Sequence, residues 1–428
     1  MNWQKLFTVE RYAHDETSPA DIGRSHFHKD HDRIVFSSAF RRLGRKTQVH
    51  PINTNDHIHT RLTHSLEVGS VGRSLGVEAG ERLADELPEW VTPDDLGVIV
   101  QAACLAHDIG NPPFGHAGED VIRDWMSHPK HLYLFDEISD EKELLDLLTF
   151  EGNAQGFRIV AQLQNHLFEG GLRLTYPTLG ALLKYPRFSN KAIKTGKFSI
   201  YQTEKENFLT IMKSLGIPKI AEDIWARHPL SYLMEAADDI CYAILDLEDA
   251  VELKILSFEE VKPILLGICG DCNFAFNVLE SDITSRRKIS ALRGRVMQNM
   301  VNAVIETFIT YKDEILAGTF EGDLLSRSKD SVRQGLAEAK KLAKDKVFKD
   351  HHKTLVEIGS YTTLGILLDA FMKTVYDFHK NNGECLSYRS RKMLDLMQEY
   401  APVPEMSLYQ NYMRVLDFIS GMTDTSAG

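Results

Sequence analysis

Helical periodicity runs through almost the whole 428-residue chain and limits its fold more than any other feature. Apolar and small residues recur at three- and four-residue steps in residues 64–87, 95–109, 229–253, 274–283 and 362–380. The alternation typical of strands is scarce. Its best example is the segment 47–52, which leads through a polar turn into residues 57–64. We therefore predict an all-α protein with one small β-hairpin near residues 47–64.

Domain boundaries are weakly marked, because the sequence contains no internal repeat and no low-complexity tract. We predict a single body over residues 1–428. A helical catalytic core covers residues of about 30–255, and a helical C-terminal extension covers about 256–428. The lysine-rich stretch 337–353 is interpreted as a solvated helix face, with a subunit or nucleic-acid contact as the alternative.

Composition and charge narrow the class of protein. Apolar residues make up 43% and charged residues 26% of the chain, which is ordinary for a soluble globular protein. No apolar run reaches the roughly 18–20 residues that span a bilayer, and the N-terminus lacks a signal-peptide core. We therefore expect a cytoplasmic protein without membrane contact. The net charge of −12 argues against a general nucleic-acid coat but allows a local basic pocket.

A His-Asp dipeptide in an apolar setting is the first candidate for chemistry. His107 and Asp108 end an apolar helical stretch, and the Gly110-Asn-Pro-Pro segment then stops the helix. A carboxylate buried there needs a compensating charge, which a metal ion supplies. His64 and Asp238 lie on other amphipathic helices and complete a mixed nitrogen and oxygen ligand set. Taken singly, each is more often an ordinary hydrogen-bonded residue.

A second histidine and aspartate cluster lies near the N-terminus. His28, Asp30, His31 and Asp32 could form a further metal site, but ligands this close in sequence need a special fold to converge on one ion. The favoured interpretation is that they order the entry to the following helix.

Two further patterns suggest catalysis and ligand binding. His116 and Glu119 are three residues apart at a helix start, share one face and suit an acid–base pair. The alternative is a helix N-terminus that simply favours acidic residues.

Asp238, Tyr242 and Asp246 are spaced four and four, which also places them on one face. Tyr242 could donate to a phosphate and Asp246 could accept from a sugar hydroxyl, with a solvated polar stripe as the alternative.

Basic residues are concentrated in front of the first candidate ligand. The stretch 39–52 carries a dense cluster of arginine and lysine, which is usually solvated or binds anions. Arg61 lies three residues before His64, so its guanidinium can reach a phosphate near the metal.

With these residues in place, the chain resembles the deoxynucleoside triphosphate triphosphohydrolases, the dGTPase-like branch of the HD superfamily. The segments that carry the resemblance are 32–49, 60–69, 106–119, 150–159, 232–250 and 414–424. The stretch HDIGNPPFGHAGE is specific well beyond the His-Asp dipeptide. The resemblance implies an all-helical HD fold. It also implies an enzyme in which water attacks the α-phosphorus of a dNTP and releases a deoxynucleoside and inorganic triphosphate.

The resemblance also assigns roles to residues. It implies a divalent metal ion, Mg²⁺ or Mn²⁺ first, with Fe, Ni, Co and Zn left open. The implied metal ligands are His64, His107, Asp108 and Asp238. His116 and Glu119 are implied as catalytic residues; we assign His116 to protonate the leaving 5′-oxygen and Glu119 to orient it, with the reverse division open. The implied substrate contacts are Arg61 and Tyr242 to phosphate, Gln48 and Asp246 to the 3′-hydroxyl, and Lys184 to the triphosphate.

The resemblance further implies a dNTP substrate and a homo-oligomer, expected to be a hexamer. It leaves open the preferred base and whether a second dNTP or single-stranded DNA acts as an effector. Two alternatives remain at this stage: an HD phosphatase or phosphodiesterase acting on other nucleotides, and a nucleotide sensor or single-stranded nucleic-acid binder. Gln48, Tyr242 and Asp246 argue against the first, since a simple phosphatase needs no such set. The complete set of ligands and catalytic residues argues against the second.

Overall fold

The computed structural model describes residues 1–13, 21, 23–49, 58–164, 170–192, 195–270 and 272–427. Helices dominate these residues, so the predicted all-α class is confirmed. In the first half they are α1 (Trp3–Leu6), α2 (His26–Val35), α3 (Ser38–Arg42), α4 (Arg61–Arg82), α5 (Pro93–Ala106), α6 (Gly115–Ser127), α7 (Glu141–Leu148), α8 (Gly152–Arg158), α9 (Tyr176–Leu182) and α10 (Lys205–Ser214).

The second half continues in the same way. Its helices are α11 (Pro229–Glu252), α12 (Phe258–Cys269), α13 (Cys272–Glu280), α14 (Ser285–Thr310), α15 (Lys312–Ala317), α16 (Asp330–Leu342), α17 (His351–Lys380), α18 (Tyr388–Met397), α19 (Leu408–Ser420) and α20 (Asp424–Ala427). Each segment with helical periodicity falls on one of the helices α4, α5, α11, α13 and α17. The helix α4 begins three residues before the predicted segment, because Thr60 caps it by accepting from the Thr63 amide at 3.3 Å.

The predicted hairpin near residues 47–64 falls partly outside the described residues, which omit 50–57. On its two sides, Thr47 and Thr60 form an isolated antiparallel bridge. From Arg61 onward, the expected second strand is instead the first turn of α4. The two-stranded sheet lies elsewhere and consists of the antiparallel strands β1 (Lys219–Ala221) and β2 (Ile224–Trp225).

The packing of α4 against α5 brings distant parts of the chain to one place. A Cβ atom at Gly76 of α4 would lie 2.6 Å from the carbonyl oxygen of Leu96, so glycine permits this close approach. One turn earlier, Gly72 meets Cys104 in the same way. The two helices therefore run antiparallel, and the start of α4 lies beside the end of α5. The helix α11 packs against both.

Two apolar cores support this arrangement. The larger one is built from α2, α4, α5, α9, α11, α12, α14 and α16 with their neighbours. The second joins α6 and α7 to the C-terminal helices α17 and α19. The predicted division near residue 255 into a catalytic core and an extension stays a prediction.

The helix α17 bears on the expectation that the protein makes no membrane contact. Its residues Lys353–Lys380 are long and apolar enough to cross a bilayer by length and composition, with a hydropathy of 1.3. One face is buried in the second core through Leu364, Leu368, Phe371, Met372 and Val375. The other exposes Leu355, Ile358 and Ile366. One such helix is weak evidence for a membrane span, and the expected absence of membrane contact stays a prediction.

The second histidine and aspartate cluster does not converge on one point. Asp30 is fully buried and accepts hydrogen bonds from the hydroxyls of Thr175 and Thr178 at 2.6 and 2.8 Å. His28 faces the other way, with its Nε2 atom 3.3 Å from Asp94. These contacts favour the interpretation that the cluster orders α2 and its neighbours.

Candidate active site

The predicted metal ligands meet where α4, α5 and α11 converge. His64 lies in the first turn of α4, His107 and Asp108 directly follow α5, and Asp238 lies within α11. Ligand atoms of His64, His107 and Asp108 lie within 4.8 Å of one another. The Oδ1 atom of Asp238 is 3.2 Å from His64 Nε2 and 3.4 Å from His107 Nε2. We call these four residues the His–Asp cluster.

Neighbouring contacts orient the atoms of the His–Asp cluster. His107 Nδ1 donates to the carbonyl oxygen of Cys104 at 2.6 Å, which leaves Nε2 facing the cluster. Burial lowers the pKa of His107, but the carboxylates of Asp108 and Asp238 raise it to about 9. Burial raises the pKa of Asp108, whereas Arg61 and the two imidazoles bring it down to about 2. Ionised carboxylates beside oriented imidazole nitrogens fit a divalent cation.

A cavity of about 510 Å³ opens beside the cluster, within the usual size range of small-ligand sites. Of the residues singled out from the sequence, it is lined by Gln48, Arg61, His107, Asp108, His116, Glu119, Lys184, Asp238 and Tyr242. His64 and Asp246 are not part of the lining, and only 1% and 4% of their surfaces are exposed. The structure thus brings nearly all of the predicted residues to one cavity.

His116 and Glu119 form a hydrogen-bonded pair in this cavity. His116 is exposed and Glu119 is buried, with 3.0 Å between His116 Nδ1 and Glu119 Oε2. The other oxygen of Glu119 accepts from the Gly152 amide at 2.9 Å. Burial raises the pKa of Glu119, but the His116 hydrogen bond and Lys197 lower it to about 2. An ionised carboxylate can only accept, so His116 Nδ1 carries the hydrogen and Nε2 is left for a ligand.

The turn before α6 places His116 above the cluster. Phe114 and Gly115 both have left-handed backbones, with φ of 64° and 59°. A Cβ atom at Gly115 would lie 2.4 Å from Arg61 Nη2, so a larger residue would displace the guanidinium. Arg61 Nη1 in turn donates to Asp108 Oδ2 at 2.6 Å. The turn, the arginine and the cluster are therefore in direct contact.

Two of the predicted phosphate contacts keep their donor protons. Lys184 Nζ lies 3.5 Å from Glu235 and 4.0 Å from Asp238. Burial lowers the pKa of Lys184, but these two carboxylates raise it above its ordinary value, so the amine stays charged. Burial, and next Asp246, raise the pKa of Tyr242, so its hydroxyl stays protonated.

The two predicted sugar contacts have buried atoms that lack partners. Gln48 Oε1 and Asp246 Oδ2 find no hydrogen-bond partner among the described residues. Burial, with Asp249 and Asp238 nearby, raises the pKa of Asp246 well above its ordinary value. Buried polar atoms are rarely left unpaired, and each of these two suits a ligand hydroxyl.

The cavity also contains residues that the sequence did not single out or could not assign. They include Asn153, Tyr185, Lys197, Phe348, Lys353 and Glu357. Lys197 Nζ donates to Glu151 at 2.7 Å and lies 3.8 Å from Glu119. Lys353 ends the lysine-rich stretch interpreted as solvated, and that interpretation is wrong for this residue. The sequence signal that could have indicated a structured role for Lys353 is its spacing of four residues from Glu357, because these two residues form an ion pair on α17.

Comparison with known proteins identifies the family. The HD domain model matches residues 61–252. A deoxyguanosinetriphosphate triphosphohydrolase-like protein of Pseudomonas aeruginosa is 51% identical, covering 100% of this chain and 97% of that protein. A like-named protein of Synechocystis is 37% identical with the same coverage. The deoxyguanosinetriphosphate triphosphohydrolase of Klebsiella pneumoniae is 32% identical, covering 100% and 96%. The chain belongs to the deoxyguanosinetriphosphate triphosphohydrolase-like family of HD-domain hydrolases.

Proposed function

We propose that the protein hydrolyses deoxynucleoside triphosphates to a deoxynucleoside and inorganic triphosphate, with a divalent metal ion as cofactor. The observation that carries this proposal is that one cavity opens beside the His–Asp cluster and contains the pair His116–Glu119. A metal site alone would suit many phosphoesterases. A proton donor opposite the metal site suits departure of a 5′-alkoxide.

The cluster residues His64, His107, Asp108 and Asp238 would hold the ion. When bound, such an ion supplies positive charge for phosphate oxygens and acidifies water, and Mg²⁺ or Mn²⁺ suits the oxygen ligands. Arg61 is already anchored to Asp108 through one nitrogen. Its buried Nε finds no partner within the described chain and is available to a ligand oxygen.

Charge balance favours a triphosphate substrate. A dNTP carries about four negative charges, which need several donors to offset them. Arg61, Lys184, Lys197 and Tyr242 all line the cavity, and the raised pKa values of the two lysines and the tyrosine keep their donor protons in place. Lys197 also neutralises the carboxylates of Glu119 and its neighbour, so its position links the phosphate region to the acid–base pair.

In the proposed reaction, His116 is the residue that protonates the leaving group. Water forms a bond to the α-phosphorus and releases a proton to the solvent, and the bond from phosphorus to O5′ breaks. The electron pair left on O5′ takes a proton from Nε2 of a protonated His116. Glu119 keeps the imidazole oriented through Nδ1 and stabilises its positive charge. Gln48 and Asp246 would bind the 3′-hydroxyl through their unpaired buried oxygens.

The test uses the four dNTPs, singly and mixed, with Mg²⁺ or Mn²⁺, and identifies products by chromatography. We expect deoxynucleoside and triphosphate in equal amounts, and dGTP is the first substrate to examine because the Klebsiella relative is named for it. Activity only in mixtures would identify a second dNTP as an effector, and added single-stranded DNA tests the other effector. Orthophosphate from monophosphates, with no triphosphate from any dNTP, would contradict the proposal.

We further propose that the protein works in the cytoplasm as a homo-oligomer, a hexamer by family resemblance. The apolar residues Leu355, Ile358 and Ile366 on the outer face of α17 support this, because a second copy would cover them. Sedimentation equilibrium measures the assembly directly. We expect a mass several times 48.5 kDa, reduced by Ile366→Asp, whereas a monomer at micromolar concentration would contradict the proposal.

A further inference from the structure

The C-terminal end of the described chain reaches back to the active-site cavity. Asp424 begins α20, and only 5% of its surface is exposed. Its Oδ2 atom accepts from the Thr47 amide at 2.8 Å and from the Thr47 hydroxyl at 2.6 Å. Its Oδ1 atom accepts from the Phe114 amide at 2.9 Å. One buried carboxylate thus joins two segments that are distant in sequence.

Each of these two segments leads directly to a residue of the site. Phe114 precedes α6, and two residues later His116 enters the cavity. Thr47 precedes Gln48, and Thr47, Gln48 and Phe114 all line the same cavity. Asp424 is itself not among the lining residues. Its contacts therefore set the distance between the acid–base turn and the residue that would bind the sugar.

The backbone at Phe114 needs such support. Its φ of 64° is left-handed, which is unfavourable for a residue with a bulky side chain. Such conformations persist where the surroundings hold them in place, and they occur often at functional sites. The hydrogen bond to Asp424 fixes the amide of this strained residue.

A buried lysine makes a second connection between the same parts. Lys46 is 3% exposed, and its Nζ donates to the carbonyl oxygens of Asn111 at 2.5 Å and Ser420 at 2.7 Å. Ser420 is the last residue of α19, where carbonyl groups lack helical partners and favour a cation. Asn111 donates in turn to Asp108 of the His–Asp cluster. We call Lys46 and Asp424 the terminal clasp.

We propose that the terminal clasp positions the active site: Asp424 holds the Phe114 turn so that His116 faces the substrate bound near Gln48. Asp424 is a positioning residue, since it acts through the backbone of Phe114 and Thr47. The inference rests on the proposed function, because turnover is one of its readouts. A clasp with a purely structural role would hold α20 in place without influencing the catalytic turn.

The first experiment compares Asp424→Asn with Asp424→Ala in the full-length protein. Asparagine keeps the size of the side chain but loses one accepting oxygen, and alanine loses both. Small misplacements of catalytic groups cost up to about 100-fold in rate, so we expect kcat to fall about 10-fold for asparagine and about 100-fold for alanine. KM should stay within about 2-fold, because the phosphate donors are untouched. Thr425→Ala, on the exposed side of the same turn, is the matched control.

The second experiment does not depend on catalysis. Hydrogen–deuterium exchange followed by mass spectrometry reports the amides of residues 109–119 in the substrate-free protein. We expect faster exchange at Phe114 in Asp424→Asn, and wild-type exchange in α5 and in Thr425→Ala. If neither Asp424 variant folds, Thr47→Val removes only the hydroxyl donor, and about a 3-fold fall in kcat is expected.

The outcomes separate this inference from the proposed function. If the wild-type protein hydrolyses no dNTP, the proposed function is contradicted. Hydrogen exchange alone then tests whether Asp424 holds the Phe114 turn. Active wild-type protein with unchanged kcat and unchanged exchange in Asp424→Asn overturns the inference. A lower melting temperature with unchanged kcat, measured where both proteins are folded, overturns it as well, since it shows a structural role only.

Discussion

The cavity has two walls that differ in how they are built. One is the His–Asp cluster, where α4 and α5 touch through glycines and α11 packs against both helices. The other, which we call the α17 wall, consists of Phe348, Lys353, Val356 and Glu357 at the start of a helix with one exposed face. A rigid wall suits chemistry, which needs fixed distances, while the α17 wall suits contacts that adjust to the ligand. We therefore expect changes in the cluster to lower kcat and changes in the α17 wall to alter KM.

Removing a ligand of the cluster should have the largest effect. Asp238→Ala deletes the carboxylate shared by His64 and His107, and we expect lower metal content and a fall in turnover of about 1000-fold or more. Elemental analysis of purified protein measures the metal directly. Asp239→Asn, the adjacent carboxylate on α11, is the matched control and should leave metal content unchanged. Equal metal content in both variants would contradict the ligand assignment.

Removing the proton donor should cost somewhat less. We expect His116→Ala to lower kcat by about 100- to 10,000-fold, the usual range for a general acid, while dNTP binding survives. Stopped-flow turnover and equilibrium binding together separate the two quantities. His128→Ala changes an exposed histidine after α6 and should behave as wild type. Full activity of His116→Ala would exclude this residue as the acid.

Loss of the orienting carboxylate should be milder. Glu119→Gln keeps an oxygen that can accept from His116 Nδ1 but removes the negative charge that stabilises the imidazolium. We expect kcat to fall about 10- to 100-fold, the usual cost of losing an orienting contact. Steady-state kinetics of Glu119→Gln and His116→Ala side by side measures the two losses. A loss as large as that of His116→Ala would favour the reverse division of roles.

Changes in the α17 wall should mainly affect substrate binding. Lys353→Met removes a cation that lines the cavity and pairs with Glu357, and we expect KM for the best dNTP to rise about 3- to 10-fold with kcat nearly unchanged. Lys373→Met, which removes a half-exposed lysine paired with Asp369 on a later turn of α17, is the control. If Lys353→Met lowered kcat and left KM unchanged, the proposed division between a wall for chemistry and a wall for binding would be contradicted.

The smallest effect on turnover near neutral pH is expected at His228, a buried residue that caps the N-terminus of α11. Burial lowers its pKa from 6.5 to about 4. Between these values the unfolded chain binds a proton that the folded chain does not, so stability falls as pH drops from about 6.5 to 4. The loss is on the order of 3 kcal/mol. Urea unfolding across this range measures it, and His228→Asn, which keeps a capping oxygen, should flatten the dependence. If the free energy of unfolding of His228→Asn depended on pH as steeply as that of the wild type, His228 would not be the group responsible.

The two walls also differ in how well the sequence alone predicts their residues. His107, Asp108, His116 and Glu119 lie within one short motif, and helical spacing places Asp238 with Tyr242, so local pattern suffices. Lys197 and Lys353 reach the cavity only through tertiary packing, although the spacing of four between Lys353 and Glu357 marks their ion pair on α17. The segment near Thr47 has strand-like residues, yet capping by Thr60 makes the following residues helical.

The same reasoning applies to the C-terminal end. The stretch 414–424 carries family resemblance, but its letters do not reveal that Asp424 meets Phe114 and Thr47. Contacts between segments this distant depend on how α19 and α20 close over α6. They become visible only when the helices are placed together.

Hydrolysis in water enriched with ¹⁸O tests the central claim most directly. We expect deoxynucleoside and inorganic triphosphate as products, with one ¹⁸O atom on the terminal phosphoryl group that was the α-phosphoryl group of the dNTP. This label shows that water attacked the α-phosphorus and that the bond to O5′ broke. Unlabelled triphosphate with ¹⁸O in the deoxynucleoside would contradict attack at phosphorus, and release of orthophosphate or diphosphate would contradict removal of the whole triphosphate.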